Sequence, residues 1–303
     1  MRALILGLGS IGRRHARTIR TLDPEAEIFA LRSGDGDSEP GVRDIRRIED
    51  CPKPLDLAIV ATPTHLHRSS VEQVSALRPF LFLEKPLALT VDDASAIVQA
   101  LESAKMQSYI GCHLRFHPCL QWVRAALQSS PRDIRGIQAA CLSWLPDWQP
   151  QNDYRKSFRS DPAQSGGVHL ELIHELDYVT WIFGMPQSSA LQLHAAPELQ
   201  IDAPAIAHYD LRYPSFTATI DLSYASHGKK RTLEITFADD RWIVDLLSFT
   251  VRDADDRILF ASQHSMDDVY AEQMRHVLQC AAKKEHSSHE AKDALETLRF
   301  ALS

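Results

Sequence analysis

The sequence predicts an α/β chain: a doubly wound parallel sheet, followed by an α+β domain whose large open sheet is mostly antiparallel. Three observations predict it. Over residues 1 to about 110, short apolar runs alternate with helical patterns, the signature of a parallel sheet with crossover helices. A glycine-rich turn, Gly7-Leu8-Gly9-Ser10-Ile11-Gly12, joins the first apolar run to the first helical stretch. Beyond residue 130, β-rich runs follow one another without helices between them, which favours antiparallel pairing.

Taken in order, Ala3 to Leu6 is an apolar strand and Ile11 to Leu22 a helix. Glu27 to Leu31 is a second strand. Asp56 to Ala61 is a third, ending at Thr62-Pro63, and His65 to Leu77 fits a helix. Phe80 to Leu83 is a strand stopped by Glu84-Lys85-Pro86. Val91, Ala94, Ile97, Val98 and Leu101 then share one helical face, and Ser108 to Cys112 closes the set. In the second part, Pro118 to Gln128 and Val168 to Phe183 read as helices. The β-rich runs include Ile137 to Trp144, Ala207 to Tyr213, Thr217 to Tyr224, Thr232 to Phe237 and Arg241 to Leu246. Helical patterns return at Met266 to Ala282 and Glu290 to Leu302, and residues 145 to 166 read as a long loop. The expected boundaries are 1–116 for the first domain and 117–303 for the second, a substrate-binding and oligomerisation domain whose last helix packs back on the first.

The 303 residues suffice for two such cores. A net charge of -7 argues against a nucleic-acid surface, and the basic clusters at Arg43 to Arg47 and Lys229 to Arg231 read as solvated faces. The five cysteines are odd in number, widely spaced and without a CxxC, so reduced thiols are expected rather than disulfides or structural zinc. His65 and His67 form a His-x-His without matching ligand spacing, and no metal is expected. The apolar N-terminus is too short for a signal peptide, and no run reaches the roughly 20 residues of a membrane span, so a cytoplasmic chain with no membrane partner is expected.

The glycine turn carries the first chemistry. It follows a strand and opens a helix, the context in which GxGxxG fits a dinucleotide. Gly7 permits the tight turn, Gly9 lets the backbone approach a pyrophosphate, and Gly12 lets the helix pack on the strand. The helix N-terminus at Ser10 and Ile11 then faces the phosphates. A Rossmann-type sheet is thereby expected. The second strand ends in Leu31-Arg32-Ser33 rather than in an acid. Arg32 can pair with a 2′-phosphate, Ser33 can donate to it, and Arg13 adds charge, so NADP(H) is expected over NAD(H). The other reading makes Arg32 a surface arginine and lets Asp35 or Asp37 reach the ribose.

Four segments together resemble the glucose–fructose oxidoreductase/inositol dehydrogenase (Gfo/Idh/MocA) family. They are Ala61-Thr62-Pro63-Thr64-His65-Leu66-His67, then Glu84-Lys85-Pro86, then Gly111 to Pro118, and Ser165 to Asp177 with its His-x-x-Asp ending. They stand in the family's order and span the chain. The resemblance implies that Lys85 lies beside the nicotinamide and the reacting carbon, with Glu84 at the nicotinamide edge. It further implies that Thr62, Pro63, His65 and His67 lie against the cofactor, and that His174 is the acid/base residue. Where the family usually has an aspartate, this chain has Glu171.

The residues themselves support a site there. Val168 to Phe183 is apolar nearly all round, so it should be buried, yet it carries Glu171, His174 and Asp177 three residues apart. Ionisable groups crowded into a buried segment are site candidates, although a satisfied core histidine would look the same. Lys85 ends a parallel strand, where doubly wound folds place ligands. The expected roles are proton transfer by Lys85 or His174, with Glu171 orienting the histidine. Arg115, His117 and Asp177 are substrate contacts, joined by Tyr154 and Arg155 from the long loop. The resemblance implies a hydride transfer between nicotinamide and a secondary alcohol or ketone of a sugar, nucleotide sugar or cyclitol, by a homodimer or homotetramer. It also admits a reductase of a cyclic imine or tetrapyrrole. A non-catalytic nucleotide-binding regulator on the same fold is the third reading.

Overall fold

A computed structural model describes residues 1–303 apart from Ser33 and Asp35. The chain forms two compact units, Met1–Cys112 with Tyr270–Leu298, and His113–Val269 with Arg299–Ser303.

The first unit contains β1 (Arg2–Leu6), α1 (Ser10–Leu22), β2 (Glu27–Leu31), β3 (Val42–Ile45), β4 (Leu57–Val60), α2 (His67–Ser75), β5 (Phe80–Leu83), α3 (Val91–Ala104) and β6 (Ser108–Ile110). Its six strands are all parallel, in the order β3-β2-β1-β4-β5-β6. Residues 57 to 60 and 81 to 83 have no exposed surface, which is why they read as unbroken apolar runs: helices cover both faces of the sheet. Strand order reverses between β1 and β4, and that is where a doubly wound sheet opens a crevice beyond its strand ends. Helix α1 buries Gly12, His15, Ala16 and Ile19, three and four apart on one face. The Thr90 side chain caps α3 by accepting the Asp93 N–H.

The second unit contains α4 (Pro118–Ser129), β7 (Ile134–Trp144), the short helices α5 (Pro162–Ser165) and α6 (Val168–Glu171), α7 (His174–Phe183), β8 (Ser188–His194), β9 (Ile206–Arg212), β10 (Thr217–Ser223), β11 (Ala225–Phe237), β12 (Arg241–Asp245), β13 (Thr250–Arg252) and β14 (Ile258–Ala261). Helices α8 (Met266–Lys283) and α9 (Ala291–Ala301) follow in the chain, and most of both, residues 270–298, belongs to the first unit. The eight strands lie in the order β14-β13-β12-β11-β7-β10-β9-β8, antiparallel except for the β7–β10 pair. Burial alternates along them: Ala207, Tyr209 and Leu211 are buried on β9, whereas Asp210 and Arg212 are exposed. One face therefore packs on the core and the other is polar.

The segment expected as one helix over Val168 to Phe183 is two. Helix α6 stops at Leu172, whose ψ of 31° leaves the helical region, and α7 begins at His174. Glu171 closes one helix and His174 opens the next, so the single stripe expected of residues 171, 174 and 177 does not form. Among the described residues, no helix is long and apolar enough to cross a membrane, and the five cysteines are free and buried.

Candidate active site

At the nucleotide end of the first unit, backbone does the building. Gly7 has a φ of +92°, and a Cβ there would fall 2.6 Å from the Ala61 carbonyl oxygen beyond β4. At Gly12 a Cβ would fall 2.1 Å from the Gly7 carbonyl oxygen. The turn therefore closes only with glycine at both positions. Gly9 is the N-cap of α1, makes no side-chain cap, and precedes a first turn without acids. A Cβ on Gly9 would meet nothing within 4 Å. An uncapped helix start beside open space fits a pyrophosphate. Ser10 and Ile11 form that first turn.

A cleft of about 490 Å³ opens here, lined by Gly7, Leu8, Arg32, Arg46, Thr62 and Pro63 among others, with no carboxylate among the described residues of its lining. Arg32 donates through Nη1 to Asp44 at 2.7 Å and to the Asp37 carbonyl at 3.0 Å, and through Nη2 to the Gly36 carbonyl. Arg46 donates to the Gly34 carbonyl at 2.7 Å. Arg46 is the residue that sequence reasoning missed, because Arg43 to Arg47 reads as a solvated face. Arg13 donates to the Ser38 carbonyl at 3.2 Å, to Glu39 at 3.1 Å and to the Asp37 carbonyl, so its charge serves the segment that follows β2. Ser33, expected beside Arg32, lies outside the described residues, as does Asp35.

Beyond β4, Pro63 and His65 are exposed, and the Thr62 hydroxyl pairs with that of Ser70 at 3.2 Å. His67 is buried, with Nδ1 3.3 Å from the Leu87 carbonyl and Nε2 3.1 Å from that of Thr62. It brackets the Thr62 turn to the residues after Lys85, and burial pushes its pKa below the ordinary imidazole value. Lys85 is half-buried, and the bond from it to Pro86 is cis. Glu84 is buried, 2.6 Å from His15 Nε2.

In the second unit, side chains do the building. His174 is buried, its ring edge-on to His113 with centroids 4.4 Å apart. The acids around it each meet an arginine from another segment. Arg159, in the long loop, donates Nε to Glu171 at 2.9 Å. Arg231 on β11 grips Glu175 through Nε at 2.7 Å and Nη2 at 3.1 Å. Arg115 grips Asp177 through Nη2 at 2.7 Å and Nε at 3.0 Å. Carboxylates survive burial only when paired and hydrogen-bonded in this way. Arg115 and Asp177, both expected as substrate contacts, thus pair with each other.

His117, also expected on substrate, is fully buried with both ring nitrogens used. Nδ1 accepts the Cys119 N–H at 3.3 Å and Nε2 donates to the Leu246 carbonyl at 3.2 Å. Capping α4 takes the hydrogen-bonding capacity that substrate would need. Burial drops this histidine to about 4. Buried His169 is likewise pushed down to about 4, and its Nδ1 has no partner among the described residues. In the long loop the Tyr154 hydroxyl donates to the Leu199 carbonyl at 3.1 Å. Arg155 is exposed, held by Asp153 at 2.8 Å and Gln200 at 3.1 Å.

Comparison with known proteins agrees with this architecture. Residues 1–112 match the family described as "Oxidoreductase family, NAD-binding Rossmann fold", and residues 133–242 match the GFO/IDH/MocA C-terminal domain. The 2,7-anhydro-N-acetylneuraminate hydratase of Escherichia coli is 30% identical over 132 residues, 44% of this chain and 34% of that protein. The inositol 2-dehydrogenase of Acidothermus cellulolyticus is 29% identical over 190 residues, 59% of this chain and 52% of that one. The aligned stretches thus span about half, or less, of those relatives' own length. The fold is shared along the whole chain with the UDP-N-acetylglucosamine 3-dehydrogenase of Acidithiobacillus ferrooxidans (TM-score 0.80, 20% identity, 100% of this chain and 95% of that one). A levoglucosan dehydrogenase solved with NADH and levoglucosan gives a TM-score of 0.85 at 14% identity, covering 99% of this chain and 95% of that one. With both of its domains matched by the family's own models, over more than half its length together, this chain belongs to the Gfo/Idh/MocA oxidoreductase family.

Proposed function

We propose that the chain is an NADP(H)-dependent oxidoreductase acting on a secondary alcohol or ketone of a sugar, nucleotide sugar or cyclitol. The observation that carries the cofactor choice is the cleft beyond β1 and β2, which two arginines line and, among the described residues, no carboxylate does. A 2′-phosphate there meets Arg32 and Arg46. The bound cofactor supplies or accepts the hydride. Lys85 or His174, or both by relay, holds and moves the hydroxyl proton, and the Arg115–Asp177 pair presents donors and acceptors to substrate oxygens. Relatives named as inositol and nucleotide-sugar dehydrogenases support the substrate class. The presence of both Lys85 and His174 favours this reading over a regulator. Free cysteines suit a cytoplasmic enzyme, and the polar open face of the eight-stranded sheet suits a homodimer or homotetramer.

The test is a titration with NADPH and with NADH, followed by nicotinamide fluorescence, and then a screen of sugars and nucleotide sugars with NADP⁺. Tighter NADPH than NADH binding and turnover of a polyol substrate are expected. Equal or NADH-favoured binding removes the 2′-phosphate reading, and binding of neither brings the regulator forward. Products are identified as well as cofactor oxidation, because two relatives are named hydratases.

A further inference from the structure

We infer that His15, on the helix that starts the nucleotide site, is a positioning residue for the Lys85 turn and acts through Glu84. The inference rests on the proposed nicotinamide site and adds a residue to it. His15 lies on α1, one turn beyond the glycines, with a side chain only 2% exposed. Its Nε2 stands 2.6 Å from Glu84 Oε1. The other carboxylate oxygen, Oε2, accepts the backbone N–H of Lys85 at 3.3 Å. The imidazole packs edge-on against Phe82 of β5, with centroids 4.7 Å apart. Gly111 leaves room for the carboxylate, since a Cβ there would fall 3.1 Å from Glu84 Oε2. A continuous run of contacts therefore joins the helix whose N-terminus suits phosphates to the backbone of the lysine, by way of one charge-assisted pair.

Packing alone does not ask for a histidine here. Leucine would fill the same face of α1, beside Gly12, Ala16 and Ile19, at no polar cost. The imidazole is needed because Glu84 is buried, and Glu84 is buried where it can hold the Lys85 N–H. With that brace, the lysine turn sits at a fixed offset from the helix end, and one dinucleotide can satisfy both. Without it, the phosphates still find the helix, but the nicotinamide half meets a turn that is no longer held.

The experiment separates the halves of the cofactor. NADPH and 2′-phospho-ADP-ribose, which lacks nicotinamide, are titrated against the wild-type protein, His15→Leu and His15→Gln. A glutamine can return a donor to Glu84. His15→Leu is expected to keep its affinity for 2′-phospho-ADP-ribose, which also shows that it is folded, and to bind NADPH about tenfold more weakly, the scale of one lost charge-assisted hydrogen bond. His15→Gln is expected to recover most of that loss. Equal weakening of both ligands, no change in either, or no recovery with glutamine overturns the inference and leaves His15 as a packing residue. Should His15→Leu not fold, His15→Leu/Glu84→Gln removes the stranded charge and is read in the same way. A wild-type protein that binds neither ligand overturns the proposed function, and this inference with it.

Discussion

The nucleotide end of the first unit and the acid-bearing segment of the second each hold candidate functional residues and are built by opposite means. The first is made of backbone: a positive-φ glycine, a second glycine under the first one's carbonyl, and a helix start without a cap. Its parts lie within six consecutive positions. The second is made of charged side chains, and the partners of Glu171, Glu175 and Asp177 lie 12, 56 and 62 positions away. A backbone site resists change in the solvent around it and fails only when a side chain intrudes. A site held by buried ion pairs fails when one partner is lost or neutralised, and the failure is one of folding before it is one of chemistry.

The largest expected effect tests that contrast directly. Glu175 is fully buried against Arg231. Glu175→Gln leaves the guanidinium without its counter-charge and should cost about 3–5 kcal/mol of unfolding free energy in urea. Glu175→Met with Arg231→Leu should recover most of it, since an apolar pair of similar volume strands no charge. A loss below about 1 kcal/mol for the single variant would mean that the second unit does not depend on its ion pairs.

Acid should separate the regions next. His117 and His169 titrate at about 4 in the folded chain because burial disfavours the imidazolium, against 6.5 when unfolded. The folded pKa is the lower one, so between these values the unfolded chain binds more protons. Stability is complete above about pH 6.5, falls as the pH drops, and has lost the whole contribution below about 4, with about 3 kcal/mol at stake for each histidine. Both residues belong to the second unit. Urea midpoints measured from pH 7 to 4 should fall steeply, and His169→Asn should flatten the curve. An unchanged slope in that variant would remove His169 from the account.

What was legible in the sequence follows the same division. Leu57 to Val60 and Phe80 to Leu83 announce themselves because both faces of a parallel sheet are covered. β3 does not, because Val-Arg-Asp-Ile at a sheet edge alternates too weakly, and β8 and β14 are edge strands with exposed faces. The break at Leu172 was hidden because a segment apolar on every side shows no phase to interrupt. Gly7, Gly9 and Gly12 were legible as a site since their spacing is itself the geometry. Arg46 was not, because a cluster of arginines reads the same whether or not one faces a cleft. His15 was not, because its partner lies 69 positions on. Composition marks that buried acids need partners and cannot say which arginines supply them.

Within the nucleotide region the expected effects are smaller in energy and confined to binding. Gly12→Ala places a methyl 2.1 Å from the Gly7 carbonyl oxygen, and backbone must move to admit it. NADPH affinity should fall about 100-fold, a cost near 3 kcal/mol, while the acid sensitivity of the second unit stays as it is. An alanine variant that binds NADPH normally would show that the turn is not the phosphate seat.

Arg46→Ala should have the smallest and most selective effect. Its guanidinium lines the cleft beside Arg32, but Arg32 is already engaged by Asp44 at 2.7 Å. Part of the positive charge that Arg32 offers is therefore offset. Loss of one charge-assisted contact at a partly exposed site should weaken NADPH about tenfold and leave NADH unchanged, because NADH has no group for it to meet. Asp44→Asn should act in the opposite direction and tighten NADPH by releasing Arg32. If Arg46→Ala weakens both nucleotides equally, the arginine serves the cleft wall and not the phosphate, and the choice of NADP(H) returns to Arg32 alone.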